Sequence, residues 1–379
     1  MTKTTKTVLG IVGIAIIVGI AIIAIIIAVT AKNSSKPASN EKPTITIGVT
    51  LPLTGDVAML GQSAKNAIEL AQSQLPTNLK YNYKLVFEDD QFKPALGATI
   101  ANKLISVDHV DALMSFGSPV GSVVSPIAEK KGAPHVNSFA SASHVADGDY
   151  NFLDYTPSYE DSELFIQELE KRGIKKIVFF AQSDNQGAAS IIDSFERDIK
   201  KTDIEVVSIQ NFTTGTRDFR TNIDKVKGLK PDIYVLEATS PELEILTRQL
   251  RQAGINTPVT TMEAFEFSDQ MSLFEGMWYV NGADATPWFV DLYTKTYGVS
   301  PKFGAANDYD GFSLLVKAVE AAGDGKTKPT HEQIKDALAN IKSFDGALGT
   351  NQTIDSNGIV DSKAVVRTIK NGVPVTIAP

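Results

Sequence analysis

From Thr44 onward, stretches with strand character alternate with amphipathic stretches of helical length. The strand-like stretches are short and rich in Ile, Val and Phe, and apolar residues between them recur at helical spacing. The first block reads, in order, TITIGVTL, residues 61–75, YKLVFED, residues 94–107, DALMSF, residues 120–131 and APHVNS. Because βαβ units place their strands parallel and their helices on the faces of the sheet, this order predicts an α/β fold.

The same rhythm returns in a second block after Pro157. Its predicted elements are residues 159–172, KKIVFFA, residues 188–200, IEVVSI, a helix after Asp218, DIYVLEA, residues 241–253 and PVTTM. Two doubly wound blocks side by side predict two Rossmann-like lobes. Residues 286–341 have a mainly helical pattern, and SKAVVRTIKNGVPVTI predicts a β-hairpin that turns on Asn371-Gly372.

The N-terminal part has a different character. Residues 8–29 form an uninterrupted apolar run of roughly 20 residues, which is long enough to cross a bilayer as a helix. Residues 1–31 are therefore expected to be one transmembrane anchor, with a cleaved signal as the alternative, because Val29-Thr30-Ala31 offers a small-residue cleavage site. Residues 32–43 are polar and rich in Ser, Asn, Lys and Pro, which is typical of a flexible linker.

Composition narrows the classes of function. The net charge of -8 and the absence of a basic stripe disfavour a nucleic-acid partner. The chain has no cysteine, so disulfides and thiolate metal sites are excluded. We expect no metal and no cofactor, because the four histidines (His109, His135, His144 and His331) lie in no metal-ligand spacing. No GxSxG nucleophile elbow is present, and we expect no enzymatic activity.

The loop after the first strand, LPLTGDVAMLGQ, sits where α/β sheets collect their ligands, at the carboxyl end of a strand. It contains neither GxGxxG nor GxxxxGK[ST], so a nucleotide has no motif to bind. The acidic run Glu88-Asp89-Asp90 at the end of the next strand is expected to cap a loop and stay solvated rather than hold a cation. The loop therefore either binds another kind of ligand or only turns the chain.

Six segments, in order, carry a resemblance to a known family. They are IGVTLPLTGDVAMLGQSAKNAIELA, VFEDDQFKPALGATIANKLI, GSPVGSVVSPIAEKKGAPHVNSFASAS, ELEKRGIKKIVFFAQSDNQG, TRDFRTNIDKVKGLKPDIYVL and ANDYDGFSLLVKAVEAAG. The chain after Thr44 resembles the type I periplasmic substrate-binding proteins of ABC transporters, in particular the leucine/isoleucine/valine-binding group.

The resemblance implies a clamp of two lobes joined by three crossings, near Pro157, Gly282 and Asp345. Lobe 1 would comprise residues 44–157 and 283–345, and lobe 2 residues 158–282 and 346–379. Such a protein is extracytoplasmic, binds a small polar solute between its lobes and delivers it to a permease with its ATPase. The expected ligand is an amino acid, which includes the branched-chain amino acids. Two alternatives stay open: the ectodomain of a sensing receptor, or a binder of an amide, urea or aromatic acid.

The resemblance also assigns candidate ligand contacts. Ser118 and the pair Ala140-Ser141 match the positions that hold the ligand carboxylate, although Ser118 could instead cap the helix that follows it. Glu263 matches the carboxylate that pairs with the ligand ammonium, and Tyr309 matches an aromatic residue of the cleft.

Other positions depart from the family pattern. Tyr159 stands where an Asp is frequent, Gln186 where a Tyr is, and Thr239 and Leu60 replace two aromatic residues of the cleft. Leu60 is expected to give the cleft an aliphatic wall. The contacts to the ligand's charged groups are thus expected to be partly kept, while those to its side chain are changed.

Overall fold

The computed structural model describes residues 42–377 and contains two separate parallel sheets. The first sheet has five strands in the order β2-β1-β3-β4-β5, all parallel. Its strands are β1 (Thr44–Leu51), β2 (Asn82–Asp89), β3 (Ala112–Ser115), β4 (His135–Asn137) and β5 (Asn151–Leu153). The predicted α/β class with parallel strands is confirmed.

Helices cover both faces of the first sheet. They are α1 (Ala58–Ser73), α2 (Pro94–Ser106) and α3 (Ser118–Lys131), joined later in the chain by α8 (Pro287–Tyr297), α9 (Ala305–Ala322) and α10 (His331–Ala339). One core cluster contains Ile47 and Phe312, and another on the opposite face contains Leu104 and Val120. Burial on both faces explains why β3, β4 and β5 are buried at every position.

The second sheet has four parallel strands in the order β7-β6-β8-β9. Its strands are β6 (Lys176–Gln182), β7 (Glu205–Phe212), β8 (Ile233–Glu237) and β9 (Val259–Thr260). The helices of this block are α4 (Ser158–Lys171), α5 (Gln186–Asp198), α6 (Arg220–Val226) and α7 (Glu242–Gln252). Short 3-10 helices occupy Ser143–Ala146, Ile199–Lys201, Ala264–Phe267 and Met271–Phe274.

An antiparallel sheet completes the second block. It consists of β10 (Trp278–Gly282), β13 (Ala364–Lys370) and β14 (Val373–Thr376), and a bridge between Met262 and Val280 continues it from the end of β9. The predicted hairpin is confirmed: β13 pairs with β14 across Asn371 and Gly372, which both have positive φ.

The third passage of the chain between the two blocks differs from the expectation. Strands β11 (Phe344–Gly346) and β12 (Gly349–Gln352) pair with each other, and Ala347 N donates to the Asp310 carboxylate of α9. Further on, Ile359 bridges Leu153 at the end of the first sheet. These contacts hold residues 346–360 to the first block, beyond the crossing expected near Asp345.

The predicted anchor, residues 8–29, lies outside the described residues. Among residues 42–377, no helix has both the length and the apolar character that crossing a membrane requires.

Gly304 at the start of α9 provides a test of this packing. Its φ is +84°, and a Cβ added there would lie 2.2 Å from Phe139 Cδ2. Gly254 has a similar φ of +78° but no neighbouring atom within 4 Å of such a Cβ. We expect G304A to lower the free energy of unfolding by about 3 kcal/mol, from backbone strain plus overpacking, and G254A by about 1 kcal/mol, from strain alone.

Denaturant unfolding of the two variants measures both losses. Equal losses would show that Phe139 yields to the added methyl group and that this part of the core is not tightly packed.

Candidate functional site

A cavity lies between the two blocks, at the carboxyl ends of their strands. Its lining includes loop residues that follow β3 and β4 on the first side, and residues at or after the ends of β6, β8 and β9 on the second. The space is about 420 Å³ when counted out to its open mouth. Such edges of parallel sheets bring loops and helix N-termini together, which makes them favourable ligand sites.

One side of the cavity is suited to an anion. Ser118, the first residue of α3, and Ser141, in the loop after β4, both line it. Gly187 in the first turn of α5 faces them from the other block: a Cβ there would lie 3.2 Å from Ser118 Oγ and 3.3 Å from Ser141 Oγ. The N-termini of two helices thus converge on a pair of hydroxyls; that of α3 has no side-chain cap, whereas Asn185 Oδ1 accepts from Gly187 N and Ala188 N of α5. The uncapped end of α3 and the two hydroxyls favour negative charge.

The hydroxyl of Ser118 is not a helix cap. Gly117 is the N-cap of α3, and no side chain caps that end. Instead, Ser118 Oγ accepts a hydrogen bond from Ala142 N at 3.2 Å, which leaves the hydroxyl proton free to be donated. The capping alternative is therefore wrong, and the geometry agrees with a hydroxyl held in place to donate into the cavity.

The opposite side of the cavity carries acidic groups. Glu237 and Glu263 line it, and Asp161, in the first turn of α4, lies beside Glu263. All three side chains are buried. By hydrogen-bond geometry, neither carboxylate oxygen of Asp161 nor Glu263 Oε1 has a partner among the described residues, although Asp161, Glu263 and the Tyr155 hydroxyl lie close enough to shift one another's pKa. Buried polar atoms without partners are costly, so these oxygens are candidates for contact with a ligand.

Burial dominates the electrostatics of these acids. It raises the pKa of Glu263 to about 8, and the nearby Glu237 adds to the shift. Burial, followed by the charge of Glu263, raises the pKa of Asp161 well above its ordinary value. Burial also raises the pKa of Glu237, against two hydrogen bonds that lower it. A raised pKa favours the protonated form of each acid, and a cation placed nearby would favour the ionised form.

No basic side chain lines this cavity in residues 42–377. The guanidinium of Arg367 is near enough to lower the pKa of Asp161, but both of its terminal nitrogens are engaged and only its buried Nε lacks a partner among the described residues. It donates to Glu266 at 2.5 Å and contacts Asp284 at 2.8 Å. The acidic side of the cavity is therefore left without its own counter-ion.

The backbone at Glu263 is constrained. Its φ is +77°, a value that residues other than Gly adopt only when their surroundings hold them there. The N–H of Glu263 donates to Val280 O at 2.8 Å. The surrounding structure therefore holds the backbone of Glu263 in a strained conformation while its side chain lines the cavity.

Apolar side chains form the rest of the wall. Phe92, Phe139, Phe267, Ile191 and Met262 all line the cavity. Phe139 is held by its neighbours: it stacks on Phe116 with ring centroids 4.2 Å apart and meets Phe267 edge-on at 5.7 Å. The cavity therefore combines an anion-binding side, a cation-binding side and a rigid apolar wall.

Four of the residues predicted from sequence meet at this cavity: Ser118, Ser141, Thr239 and Glu263. Ala140 is fully buried and directly precedes Ser141. The part of these residues in binding stays a prediction. Ser118 and Ser141 lie on one side of the cavity and Thr239 and Glu263 on the other, as a two-sided clamp requires.

The other four predicted residues lie outside the cavity. Leu60 is 1% exposed and belongs to the core beneath the first sheet, because α1 turns that face inward. Tyr309 packs against Trp288 and Phe289 on α8. Gln186 is exposed while the next residue, Gly187, lines the cavity. Tyr159 lines a separate surface pocket with Asp355 and Asp361.

Sequence reasoning missed Asp161, Glu237 and the aromatic wall. Asp161 stands two residues after Tyr159, the position at which the resemblance led us to look for an Asp. Glu237 ends the strand DIYVLE, and an acid at the carboxyl end of a buried strand was a usable signal. Phe92, Phe139 and Phe267 carry no such signal, because a loop phenylalanine equally suits the core.

The remaining polar motifs have structural roles. Asp89 accepts hydrogen bonds from Leu53 N, Thr54 Oγ and Gln91 N and so holds the loop after β1, as expected of the acidic run. The expectation that the run stays solvated is wrong for Asp90, which is fully buried and accepts from Thr50 Oγ and Phe92 N. His135 is buried between Ser115 and Asn151, and burial lowers its pKa to about 4. In the described part of the chain, no group of three His or acidic residues is arranged to hold a metal ion.

Comparison with known proteins agrees with this architecture. The model of the family described as "Periplasmic binding protein" matches residues 44–373. A Leu/Ile/Val-binding protein homolog of Brucella melitensis is 26% identical over 323 residues, which cover 81% of this chain and 86% of the relative. A leucine-, isoleucine-, valine-, threonine- and alanine-binding protein of Pseudomonas aeruginosa is 22% identical and covers 80% and 88%.

Solved structures show the same fold. A leucine-binding protein of Thermotoga maritima aligns with a TM-score of 0.80 and 23% identity, over 88% of this chain and 98% of its own. A branched-chain amino-acid transporter substrate-binding protein of Streptococcus pneumoniae, solved with isoleucine, gives 0.78 and 24% over 89% and 100%. A solute-binding protein of R. palustris with benzoate gives 0.78 and 20% over 88% and 96%. The resemblance seen in the sequence is confirmed, and the chain belongs to the periplasmic binding protein family.

Proposed function

We propose that this protein is the extracytoplasmic solute-binding component of an ABC-type uptake transporter and that it captures a free α-amino acid. The observation that carries the proposal is the charge arrangement of one cavity, with hydroxyls and helix N-termini on one side and unpartnered buried acids on the other. An α-amino acid has a carboxylate and an ammonium group on one carbon atom. It therefore supplies both charges that the two sides lack.

Each side of the cavity then has a defined task. Ser118 and Ser141, with nearby backbone N–H groups, would hold the carboxylate. Glu263 and Asp161 would take the ammonium, whose arrival favours their ionised forms. Thr239 shapes the wall: its N–H and hydroxyl both donate to Gln182 Oε1, at 2.8 and 3.0 Å. No bond is made or broken, so the protein would carry out no chemistry.

The two blocks would act as the lobes of a clamp. We assign residues 44–157 and 283–361 to lobe 1, and residues 158–282 and 362–379 to lobe 2, with the three passages as the hinge. Ser118 and Glu263 lie on different lobes, so a bound amino acid would bridge them and favour the closed form. Closure excludes water and strengthens both charge interactions.

The acids also discriminate between ligand classes within this fold. Relatives are solved with isoleucine and with benzoate. An aromatic acid would satisfy the hydroxyl side alone and would leave Asp161 and Glu263 buried without a cation. An amide or urea would leave the helix N-termini without an anion. These mismatches favour an amino acid.

The N-terminal segment and the partners complete the proposal. Residues 1–31 would tether the protein to the membrane or be cleaved as a signal, and a permease with its ATPase would receive the ligand. These assignments rest on the apolar run and on the transport role that the names of relatives give.

Calorimetric titration tests the proposed binding. We expect one site per chain for at least one of the common amino acids. E263Q should lower that affinity by about 100-fold or more, because it removes a buried partner of the ammonium. E205Q, a matched change at an exposed glutamate on β7, should leave it unchanged. Unaltered affinity in E263Q would refute the ammonium assignment, and a full panel of amino acids that leaves the melting temperature unmoved would refute the function.

The pKa of Glu263 gives a second test, on the ligand-free protein. Since the folded-state pKa of about 8 exceeds the ordinary value of 4.5, the native state keeps a proton that the unfolded chain loses. The stabilisation is fully present below pH 4.5 and is lost as pH rises through 8. E263Q lacks this titration, so its free energy of unfolding should fall less steeply with pH, by up to about 1.4 kcal/mol per pH unit.

Denaturant unfolding at several pH values between 5 and 8 compares the two proteins. Parallel curves for wild type and E263Q would mean that Glu263 is already ionised in the folded state, without a cation.

A further inference from the structure

Glu237 is the third acid of the cavity, and the proposed function does not use it. It is the last residue of β8, is only 2% exposed, and lines the cavity beside Met262. Within residues 42–377, both hydrogen bonds to its carboxyl reach the same atom: Oε1 accepts from Met262 N at 2.7 Å and from Thr261 Oγ at 3.1 Å. Oε1 is thus fixed by the fold, and Oε2 is the oxygen left for a ligand.

Two uncharged polar neighbours of Glu237 on the same side, Thr239 and Gln182, are already engaged with protein groups. Thr239 donates both of its protons to Gln182, and Gln182 Nε2 donates to Thr214 Oγ at 2.8 Å. Ala238 and Ala264, which also line the cavity, have side chains that form no hydrogen bonds. Besides Glu263, which is assigned to the ammonium, Glu237 is therefore an acid on this side of the cavity with one oxygen that no described residue engages.

An acid at this place is costly unless a ligand compensates for it. A buried carboxyl oxygen that faces a hydrocarbon side chain loses its hydration and gains no hydrogen bond. If the ligand had an aliphatic side chain, an apolar residue at position 237 would serve better. Since the anion and the cation of the amino acid are bound elsewhere, the group that meets Oε2 has to come from the ligand side chain.

We propose that Glu237 determines specificity by selecting amino acids whose short side chains carry a hydroxyl or an amide over apolar amino acids of the same shape. This inference rests on the proposed function, because it takes an α-amino acid as the ligand. The apolar wall of Ile191 and Met262 accommodates the methyl or methylene part of such a side chain. Relatives named for leucine, isoleucine and valine would differ in this respect.

Hydroxyl and amide groups suit Glu237 in either protonation state. Burial raises the pKa of Glu237, so the carboxyl can be protonated, and Oε2 then donates a hydrogen bond. When it is ionised, Oε2 accepts one. Hydroxyls and amides contain both a donor and an acceptor, whereas an alkyl group has neither. The discrimination therefore does not depend on which state is present.

Two pairs of amino acids with matched shape test the inference by calorimetric titration of the full chain: threonine with valine, and asparagine with leucine. The wild-type protein should bind the polar member of at least one pair about tenfold more tightly, the effect of about one buried hydrogen bond. E237M, which keeps the length of the side chain, should bring that ratio to about one or below. E237Q should retain the preference, and E205Q should match wild type.

The outcomes separate the two proposals. Valine and leucine binding as tightly as threonine and asparagine to wild type would overturn the role of Glu237 and leave the amino-acid function intact. An equal loss of affinity for both members of a pair in E237M would also overturn it, because Glu237 would then serve the ammonium. Binding of no amino acid would overturn both proposals. The wild-type ratios decide the question even if E237M does not fold.

Discussion

The constraint on which the binding site depends is a set of buried carboxyl groups without a basic partner in the lining. Asp161, Glu237 and Glu263 come from three different segments of the second block, and their burial raises the pKa of each. A fold bears such a cost only where another property requires it. For Asp161 and Glu263 we propose that the requirement is a cation that arrives from solution, and their raised pKa values favour the protonated forms in the ligand-free protein.

The rest of the architecture gives that cation an orientation. The strands of a parallel sheet have their carboxyl ends at one edge. The two blocks face each other at these edges, and the cavity between them has a volume of about 420 Å³ when counted out to its open mouth. Gly187 lets the first turn of α5 approach Ser118 and Ser141 closely, and a side chain at this position would occupy the space between them. The dipoles of α3 and α5 then oppose the acidic side, so a zwitterion has one favourable direction in the cavity.

Much of the fold can be predicted from the sequence, because the spacing of apolar residues and the order of helices and strands can be read along the chain. The alternation after Thr44 predicts both parallel sheets, and Asn371-Gly372 predicts the hairpin. The contacts that hold residues 346–360 to the first block come from residues distant in sequence, such as Asp310, so the alternation of helices and strands does not predict them. At the cavity, Ser118 and Glu263 could be predicted from motifs, whereas the position of Asp161 beside Glu263 follows from the packing of α4, which the sequence pattern does not reveal.

The most direct measurement is a crystal structure of the protein with the amino acid that binds most tightly in titration. The account predicts the ligand carboxylate within hydrogen-bond distance of Ser118 and Ser141, and its ammonium in contact with Glu263 or Asp161. An amino acid bound in the reverse direction, or bound at another surface while this cavity holds only water, would contradict the account.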